Sequence, residues 1–438
     1  MIGVAGRLFR ATTVAARTSM VGRLVFHRHG QPLSQLSPPF RFLCTNNGPK
    51  VNPVALQMIN YALSLARSGK SDSPCVDEAY AQASLVLEQC LTTQRDDNSK
   101  GMVLLAMSTL LYERGKFDEA MEKLKRIPDL TKSSMPVRVA ASEALVGLHL
   151  ELGQDDASAV VAALCLQILG AIKLEIGGGC GFEILDTRAR ALRGLVELVG
   201  GHVSSAKFLF EKAEDNKGSS GNAALSYGEF LHATRNFTIA KELYEKVIEG
   251  MPEFKDFSNP YNLAACNMDL EEVFLATTCA LGQLEAHLGN FNDAEDILTR
   301  ALTKAEGHLG PHHPKVGVVL ICIALMFRHK STMEQSSSLL IQEGLYRRAI
   351  DLLKAPPLET EGIGAEATEC RRDIMALARG GYGEVLRVQQ YRKDEGERMK
   401  SWAESAWKNQ RLSLAEALDI SESSTKVPVI DVRIGRVL

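Results

Sequence analysis

The chain has 438 residues, which is too long for one compact hydrophobic core, and no change of composition divides the body after residue 44 into unrelated domains. Apolar residues make up 45% and charged residues 24%, as is typical of a soluble protein. With 50 basic and 53 acidic residues the formal net charge is −3, so the chain lacks the surplus of Lys and Arg on which general binding to a phosphate backbone depends.

Residues 1–44 differ from the rest of the chain. They contain six arginines and neither Lys, Asp nor Glu, and the first acidic residue is Asp72. Arginines separated by hydroxyl residues and short apolar pairs are typical of a mitochondrial presequence, and Arg41–Thr45 resembles the region where such segments are cleaved. We therefore predict a mitochondrial protein. The alternatives are a chloroplast transit peptide and a disordered basic tail of a cytosolic protein.

Removal of the presequence would make the protein more acidic. Subtracting the six arginines leaves 44 basic and 53 acidic residues, a net charge of about −9. A nucleic-acid partner is therefore not expected. Residues 45–52, which include Asn-Asn-Gly-Pro-Lys, are predicted to form a linker.

Residues 53–176 show helical periodicity broken by Pro and Gly, which predicts N-terminal helical hairpins. The stretch Ala157–Ile172 is strongly apolar but shorter than the roughly 20 residues needed to cross a bilayer, so we expect a buried helix and no transmembrane segment. The small residue at the helix crossing of this hairpin is either Ala157 or Ala159.

A glycine-rich hinge is predicted at residues 177–181, before a central helical array at residues 182–354. The glycines lack the Lys-Ser/Thr that completes a phosphate-binding loop and lie between predicted helices, so nucleotide binding is not expected. Near the end of the array, Gly344 predicts a turn before a last helix.

The clearest pattern lies inside the central array. Gly282 on one helix and Ala294 on the next are small residues where two antiparallel helices cross, while Phe291 and Leu298 fill the space beside them. Gly289 falls where the chain turns, a position at which a positive φ costs glycine little. One such hairpin cannot bury its own apolar face, so neighbouring hairpins must stack on it.

The same offsets recur along the chain. Ala206 and Ala240 are 34 residues apart, whereas the step from Ala240 to Ala294 is 54, so Pro252–Asp269 is an insertion or a lengthened helix. In its small residues and its period the chain resembles tetratricopeptide repeat (TPR) proteins. That resemblance implies an all-α fold, an α-solenoid in which helical hairpins form a right-handed superhelix.

A narrower resemblance involves Ala305–Val316. Its Gly-Pro-His-His-Pro turn is similar to the turn that joins the longer repeats of kinesin light chains, which bind peptides and cargo proteins along a concave groove. No heptad coiled coil precedes the repeats in this chain, so only the binding architecture is expected to carry over.

The C-terminal part is predicted to close the array. After a loop at residues 355–368, a capping helix pair is expected at residues 369–412, with Gly383 as its small contact residue. Residues 413–438 form the predicted tail, in which residues 421–438 lose helical periodicity. We expect this tail to be loosely held, although Val427–Val432 could form a strand.

Residues that would carry chemistry are sparse. The nine cysteines show no C-x-x-C spacing, and the only histidine cluster in the body, at positions 308, 312 and 313, lies among prolines in an interhelical turn. No G-x-S-x-G or H-E-x-x-H signature is present. We therefore expect neither enzymatic activity, nor a cofactor, nor a bound metal.

Recognition of a protein is the function that the resemblance implies. In TPR proteins the first helix of each hairpin lines the inner surface, and its exposed positions face a bound peptide. We therefore interpret the chain as a non-enzymatic scaffold that binds a protein or peptide segment in its concave groove and aids a larger complex. The alternatives are an organellar RNA-binding helical repeat protein and a regulatory subunit of an enzyme. The candidate groove residues are Arg188, Asn222, Glu229, His232, Gln283 and His287.

Overall fold

A computed structural model describes residues 52–68, 75–130, 132–176, 180–214, 221–250, 259–356, 371–389, 391–419 and 426–438. The predicted presequence, most of the linker and glycines 177–179 of the predicted hinge lie outside these residues. The first half of the described chain forms α1 (Pro53–Ser68), α2 (Cys75–Thr93), α3 (Asp97–Glu113), α4 (Phe117–Lys125), α5 (Met135–Glu151), α6 (Asp155–Ile176), α7 (Cys180–Val199) and α8 (Val203–Glu214).

The second half continues the helices and ends in a small β-hairpin. It comprises α9 (Gly221–Ala233), α10 (Phe237–Glu249), α11 (Leu270–His287), α12 (Phe291–Leu309), α13 (Pro314–Met333), α14 (Leu339–Leu352), α15 (Arg372–Arg387), α16 (Lys393–Ala406), α17 (Leu414–Leu418), β1 (Ile430–Asp431) and β2 (Arg436–Val437). The predicted capping pair is present as α15 and α16, whose close contact at Gly383 is confirmed, since a Cβ there would lie 2.7 Å from the Gly396 carbonyl oxygen.

The helices from α1 to α16 pair consecutively into hairpins, and the first helices of successive hairpins also pack on one another, as α5 does on α7 and α9 on α11. This arrangement confirms the predicted all-α solenoid. Stacking buries the apolar face that a single hairpin would leave open to water.

Close contact at the helix crossings depends on glycine. A Cβ at Gly282 would lie 2.6 Å from Leu298, and a Cβ at Gly228 would lie 2.7 Å from Tyr244, both too short for real atoms. The predicted crossing at Gly282 is confirmed, but its close partner is Leu298, four residues after the fully buried Ala294. In these two hairpins a large side chain of the second helix, Leu298 or Tyr244, therefore fills the space that the glycine leaves.

In five of the second helices, α4, α6, α8, α10 and α12, the fourth residue is small and fully buried. In α6 this position belongs to Ser158, which is 0% exposed, so neither Ala157 nor Ala159 takes it. Both expectations were wrong because α6 begins at Asp155, and counting from that residue sets the register. The corresponding residues of α4, α8, α10 and α12 are Ala120, Ala206, Ala240 and Ala294.

Two predicted turns have different outcomes. Gly289 has φ +81° between α11 and α12, which confirms its role. Gly344 lies inside α14, so the turn predicted there was wrong. That turn occurs earlier, where Gln335 has φ +50° between α13 and α14.

Two segments outside the α-helices lie against the first helices. We call them the insertion segment (residues 259–269), which contains short 3-10 helices at Pro260–Asn262 and Cys266–Met268, and the tail segment (residues 426–438). The insertion segment contacts α3, α5, α7 and α11, whereas the β-hairpin of the tail segment contacts α11 and α15. The expectation of a loosely held tail was wrong for residues 427–438, every one of which is buried.

Two helices of the described chain are long and apolar enough to cross a membrane by length and composition, within residues 155–173 and 314–333. The second is α13, and 61% of its apolar window is buried inside the fold. For α6 that share is only 28%, and Val160 and Leu164 are 67% and 52% exposed. The expectation of a buried helix at α6 was therefore wrong for this face.

The glycine crossings lead to a stability prediction. We expect Gly282→Ala to destabilise the protein by about 1–3 kcal/mol, because the added methyl group overpacks against Leu298. The control is Gly170→Ala in α6, where nothing lies within 4 Å of the new Cβ and we expect a gain of about 0.5–1 kcal/mol. Urea unfolding followed by circular dichroism measures both. Equal stabilities of the two variants would contradict the packing described here.

Candidate functional site

The six predicted groove residues lie on the first helices α7, α9 and α11, and the insertion or tail segment contacts Arg188, Asn222, Glu229 and Gln283. All six were expected to be exposed, and that expectation was wrong for the four that are buried. Four of them are at most 6% exposed, and Asn222 and His287 are half-buried. The tail segment and the insertion segment occupy the inner face on which a partner was expected. The four residues that are at most 6% exposed are Arg188, Glu229, His232 and Gln283.

One face of α9 binds the guanidinium group of Arg433. Asn222, Ser226 and Glu229 are spaced by four and three residues, so they lie on the same side of the helix. Arg433 Nη1 donates to Asn222 Oδ1 at 2.9 Å, and Nη2 donates to Ser226 Oγ at 3.1 Å and to Glu229 Oε2 at 2.7 Å. Three acceptors on one helix therefore recognise a single side chain of the tail segment.

The tail segment supplies a further acceptor itself. Asp431 accepts from Arg433 Nε at 3.2 Å, from Nη2 at 2.9 Å and from the backbone N–H of Arg433 at 2.8 Å. Both residues and Glu229 are 0% exposed. Asp431 thus holds the guanidinium in the orientation in which it meets α9.

Burial and neighbouring charges both shift the pKa values of Arg433 and Glu229. Burial alone would lower the pKa of Arg433, but the carboxylates of Asp431 and Glu229 outweigh it and raise that pKa. Burial raises the pKa of Glu229 well above its ordinary value, and the neighbouring charge of Asp431 raises it further. The guanidinium is therefore the group that permits two carboxylates to lie this close in the interior.

Gln283 on α11 recognises the backbone of the tail segment. Its Nε2 donates to the carbonyl oxygen of Ile430 at 3.0 Å, and its Oε1 accepts from the N–H of Ile430 at 2.8 Å. A primary amide satisfies both polar groups of one residue in this way, as a neighbouring strand would. This contact does not depend on the side chain at position 430.

The β-hairpin places apolar side chains in the core. Ile430 pairs with Val437 and Asp431 with Arg436, and Gly435 has φ +60° in the connecting turn. Apolar residues alternate with the charged ones, which is the pattern of a strand with two different faces. The apolar residues of the tail segment that are at most 1% exposed are Val429, Ile430, Val432, Ile434, Val437 and Leu438.

Arg436 joins distant parts of the solenoid. Its Nη1 donates to Asp155 Oδ1 at 2.8 Å and to the carbonyl oxygen of Leu150 at 3.1 Å, and its Nε donates to Asp373 Oδ2 at 3.2 Å. Asp155 begins α6, whereas Asp373 lies in the first turn of α15. The tail segment therefore bridges an early and a late hairpin.

Arg188 on α7 fixes the insertion segment. Its guanidinium donates to Glu143 on α5 at 2.9 Å through Nε, and to the carbonyl oxygens of Tyr261 and Leu263 at 2.6 and 2.7 Å. Arg188 and the side chain of Glu143 are at most 4% exposed. The function expected for Arg188 was contact with a partner, but the structure shows that it holds part of its own chain.

His232 and His287 lie together at the C-terminal ends of α9 and α11. His232 Nε2 and His287 Nδ1 are 2.8 Å apart and share a hydrogen bond, and the ring of His329 on α13 is 6.3 Å from that of His287. Burial lowers the pKa of His232 well below its ordinary value, and His287 and Arg411 lower it further. Burial, with His329 and Arg235 nearby, lowers the pKa of His287 to about 3.

The sequence interpretation missed several residues that the site depends on. Ser226 could have been found, because it lies between Asn222 and Glu229 on the same helical face. Asp431 and Arg433 could not, because no local pattern links them to a helix that lies more than 200 residues earlier.

The arrangement is suited to recognition of peptide groups. Gln283 satisfies a backbone N–H and C=O, while Asn222, Ser226 and Glu229 satisfy a guanidinium. Among the described residues there is no group of three His, Cys, Asp or Glu that could hold a metal ion.

The histidine pair leads to a prediction about pH. Because the folded state keeps His232 neutral, the unfolded state binds more protons below a pH of about 6.5, and stability should fall as the pH falls, by up to about 1.4 kcal/mol per pH unit. We expect His232→Gln to lose less stability than the wild type between pH 6.5 and 5. Urea unfolding at several pH values measures the difference. The same pH slope in both proteins would contradict this account.

Comparison with known proteins agrees with the repeat architecture. Residues 274–315, which include nearly all of α11 and α12, match the family model described as tetratricopeptide repeat. Among solved structures, the chain is similar to a tetratricopeptide repeat protein from Parabacteroides merdae, with 13% identity and a TM-score of 0.35 over 68% of this chain and 98% of that chain. No curated protein matches the sequence. The narrower likeness to kinesin light chains stays a prediction, whereas the hairpin of α11 and α12 matches the tetratricopeptide repeat model and lies within an all-α solenoid.

Proposed function

We propose that the chain is a non-enzymatic scaffold that binds a segment of another protein on the wall formed by α9 and α11. One observation carries this proposal, namely that this wall already holds a β-hairpin, formed by the chain's own residues 427–438. The contacts comprise side-chain recognition by Glu229 and backbone recognition by Gln283. These are the interactions by which a protein surface selects a peptide.

The chemistry of the wall favours a peptide over RNA. Its polar groups include the fully buried carboxylate of Glu229, which would repel a phosphate, and the oxygens of Asn222 and Ser226, which accept hydrogen bonds from a cation. The arginines near the wall are engaged, since Arg188 binds Glu143 and Arg411 binds carbonyl oxygens of the tail segment. A phosphate backbone would therefore find no free basic surface at this wall.

A mitochondrial location is part of the proposal. It is supported by the composition of residues 1–44, whose arginines are accompanied by no acidic residue. In that compartment the scaffold would aid the assembly or maintenance of a larger complex, since a bound segment can bring its own protein to other chains.

Peptide selection tests the binding proposal. A random-peptide display library is panned on the full chain, and the affinities of enriched peptides are then measured by fluorescence anisotropy. We expect Glu229→Gln to weaken their binding about tenfold, because a charge-assisted hydrogen bond contributes about 1.5–3 kcal/mol. Glu242→Gln on the exposed face of α10 is the matched control and should bind as the wild type does. Failure to enrich any peptide, or equal losses in the two variants, would refute the proposed site.

Import tests the proposed location. Residues 1–50 fused to a fluorescent protein should enter mitochondria, and replacement of the six arginines by glutamine should abolish import, because presequences depend on positive charge. Accumulation of the unaltered fusion in chloroplasts or in the cytosol would show that the mitochondrial proposal is wrong.

A further inference from the structure

We propose that Asn222, Ser226 and Glu229 form an arginine-recognition site, and that the partner inserts an arginine in place of Arg433. The tail segment is then a tethered competitor, which leaves the wall when the partner binds. This inference rests on the proposed function and specifies the chemistry of its ligand. The tail segment that lies on the wall indicates the chemistry of the partner segment that would replace it.

The site fits a guanidinium group and not an ammonium group. Arg433 uses Nε, Nη1 and Nη2, and these three nitrogens reach acceptors in different directions, with Asn222 at Nη1 and Ser226 and Glu229 at Nη2. The single nitrogen of lysine cannot reproduce this planar fork. An arginine in the ligand is therefore expected to be required, and lysine should not replace it.

The residues around the arginine are defined as well. The main chain three residues before Arg433 is held by Gln283, whatever the side chain, so the ligand must be extended there. Val432 and Ile434 on either side of the arginine are at most 1% exposed. These three residues lie in the turn of the hairpin, so a matching segment has an arginine between two apolar residues at a turn.

The partner and the tail segment cannot occupy the wall together. The cavity lined by Arg188, Asn222, Ser226 and Arg433 has a volume of about 10 Å³, which is room for about one water molecule. Any segment that reaches Glu229 must therefore displace Arg433.

The helical stack does not need the tail segment to connect its hairpins. Direct contacts join α7 to α9, α9 to α11 and α11 to α13, and the β-hairpin of the tail pairs only with itself among the described strands. The wall is thus built by helices that pack on one another. The tail segment lies on that wall as a ligand would.

A labelled synthetic peptide with the sequence of residues 426–438 tests the inference. In the full chain, Arg433→Ala should weaken the tail segment, so we expect the peptide to bind this variant at least tenfold more tightly than it binds the wild type, by fluorescence anisotropy. A peptide with lysine at the position of Arg433 should bind the variant at least tenfold more weakly. Adding Glu229→Gln to the variant should reduce binding of the arginine peptide to a similar extent. Arg398→Ala, on the exposed face of α16, is the control and should behave as the wild type.

A second measurement covers the case in which Arg433→Ala does not fold, as judged by circular dichroism. A protease site placed within residues 421–424 allows the wild-type chain to be cleaved after folding, and we expect the labelled peptide then to exchange with the severed tail. A severed tail that stays bound and is not exchanged would overturn the inference, as would equal binding of the arginine and lysine peptides. Display peptides that need Glu229 but contain no arginine would also overturn it, while leaving the proposed protein-binding function intact.

Discussion

The arrangement of the inner face depends on how the guanidinium of Arg433 is accommodated at 0% exposure. Removing a charge from water costs several kcal/mol, so a buried arginine is stable only where acceptors surround it. Asp431, Glu229, Asn222 and Ser226 provide them. Such a cluster contributes less net stability than its number of bonds suggests, because its desolvation cost is large. Its main effect is to allow one position of the tail segment and to penalise others.

The same segment changes how the repeats are coupled. In a simple solenoid each hairpin contacts only its neighbours, and stability is close to a sum of local terms. Here Arg436 joins Asp155 to Asp373, and Arg371 forms an ion pair with Glu151, so a late hairpin is bonded directly to an early one. Contacts of this range make the hairpins between them unfold together. These long-range contacts therefore also hold an early and a late part of the solenoid together.

The sequence predicted those features that repeat. The fully buried Ala206, Ala240 and Ala294 recur at one position of the hairpin, and the glycine crossings follow from the same spacing. Six residues on the inner face were also identified, because a helical hairpin with a known register has only one side that faces inward. The Ser158 position was missed because serine replaces alanine there, which hides the period.

The occupant of the inner face could not be predicted in this way. Arg433 lies 204 residues from Glu229 in the sequence, and Arg436 lies 281 residues from Asp155, so neither pair leaves a local pattern. Loss of helical periodicity was interpreted as loss of order, although it marked a change to extended structure. A short β-hairpin is unstable alone in water, and it is the solenoid wall that makes this one stable.

Tethering sets a demanding condition on any partner. A segment attached to the chain competes at an effective concentration in the millimolar range, whereas a free partner in a cell is far more dilute. A partner that made only the contacts of the tail segment would therefore rarely displace it. Displacement requires either further contacts outside the wall or a weakening of the tail segment itself. The exposed apolar residues Val160 and Leu164 lie further along α6, the helix whose first residue, Asp155, binds Arg436 of the tail segment. A partner that covered them would bury apolar surface outside the wall, and the added free energy would favour exchange.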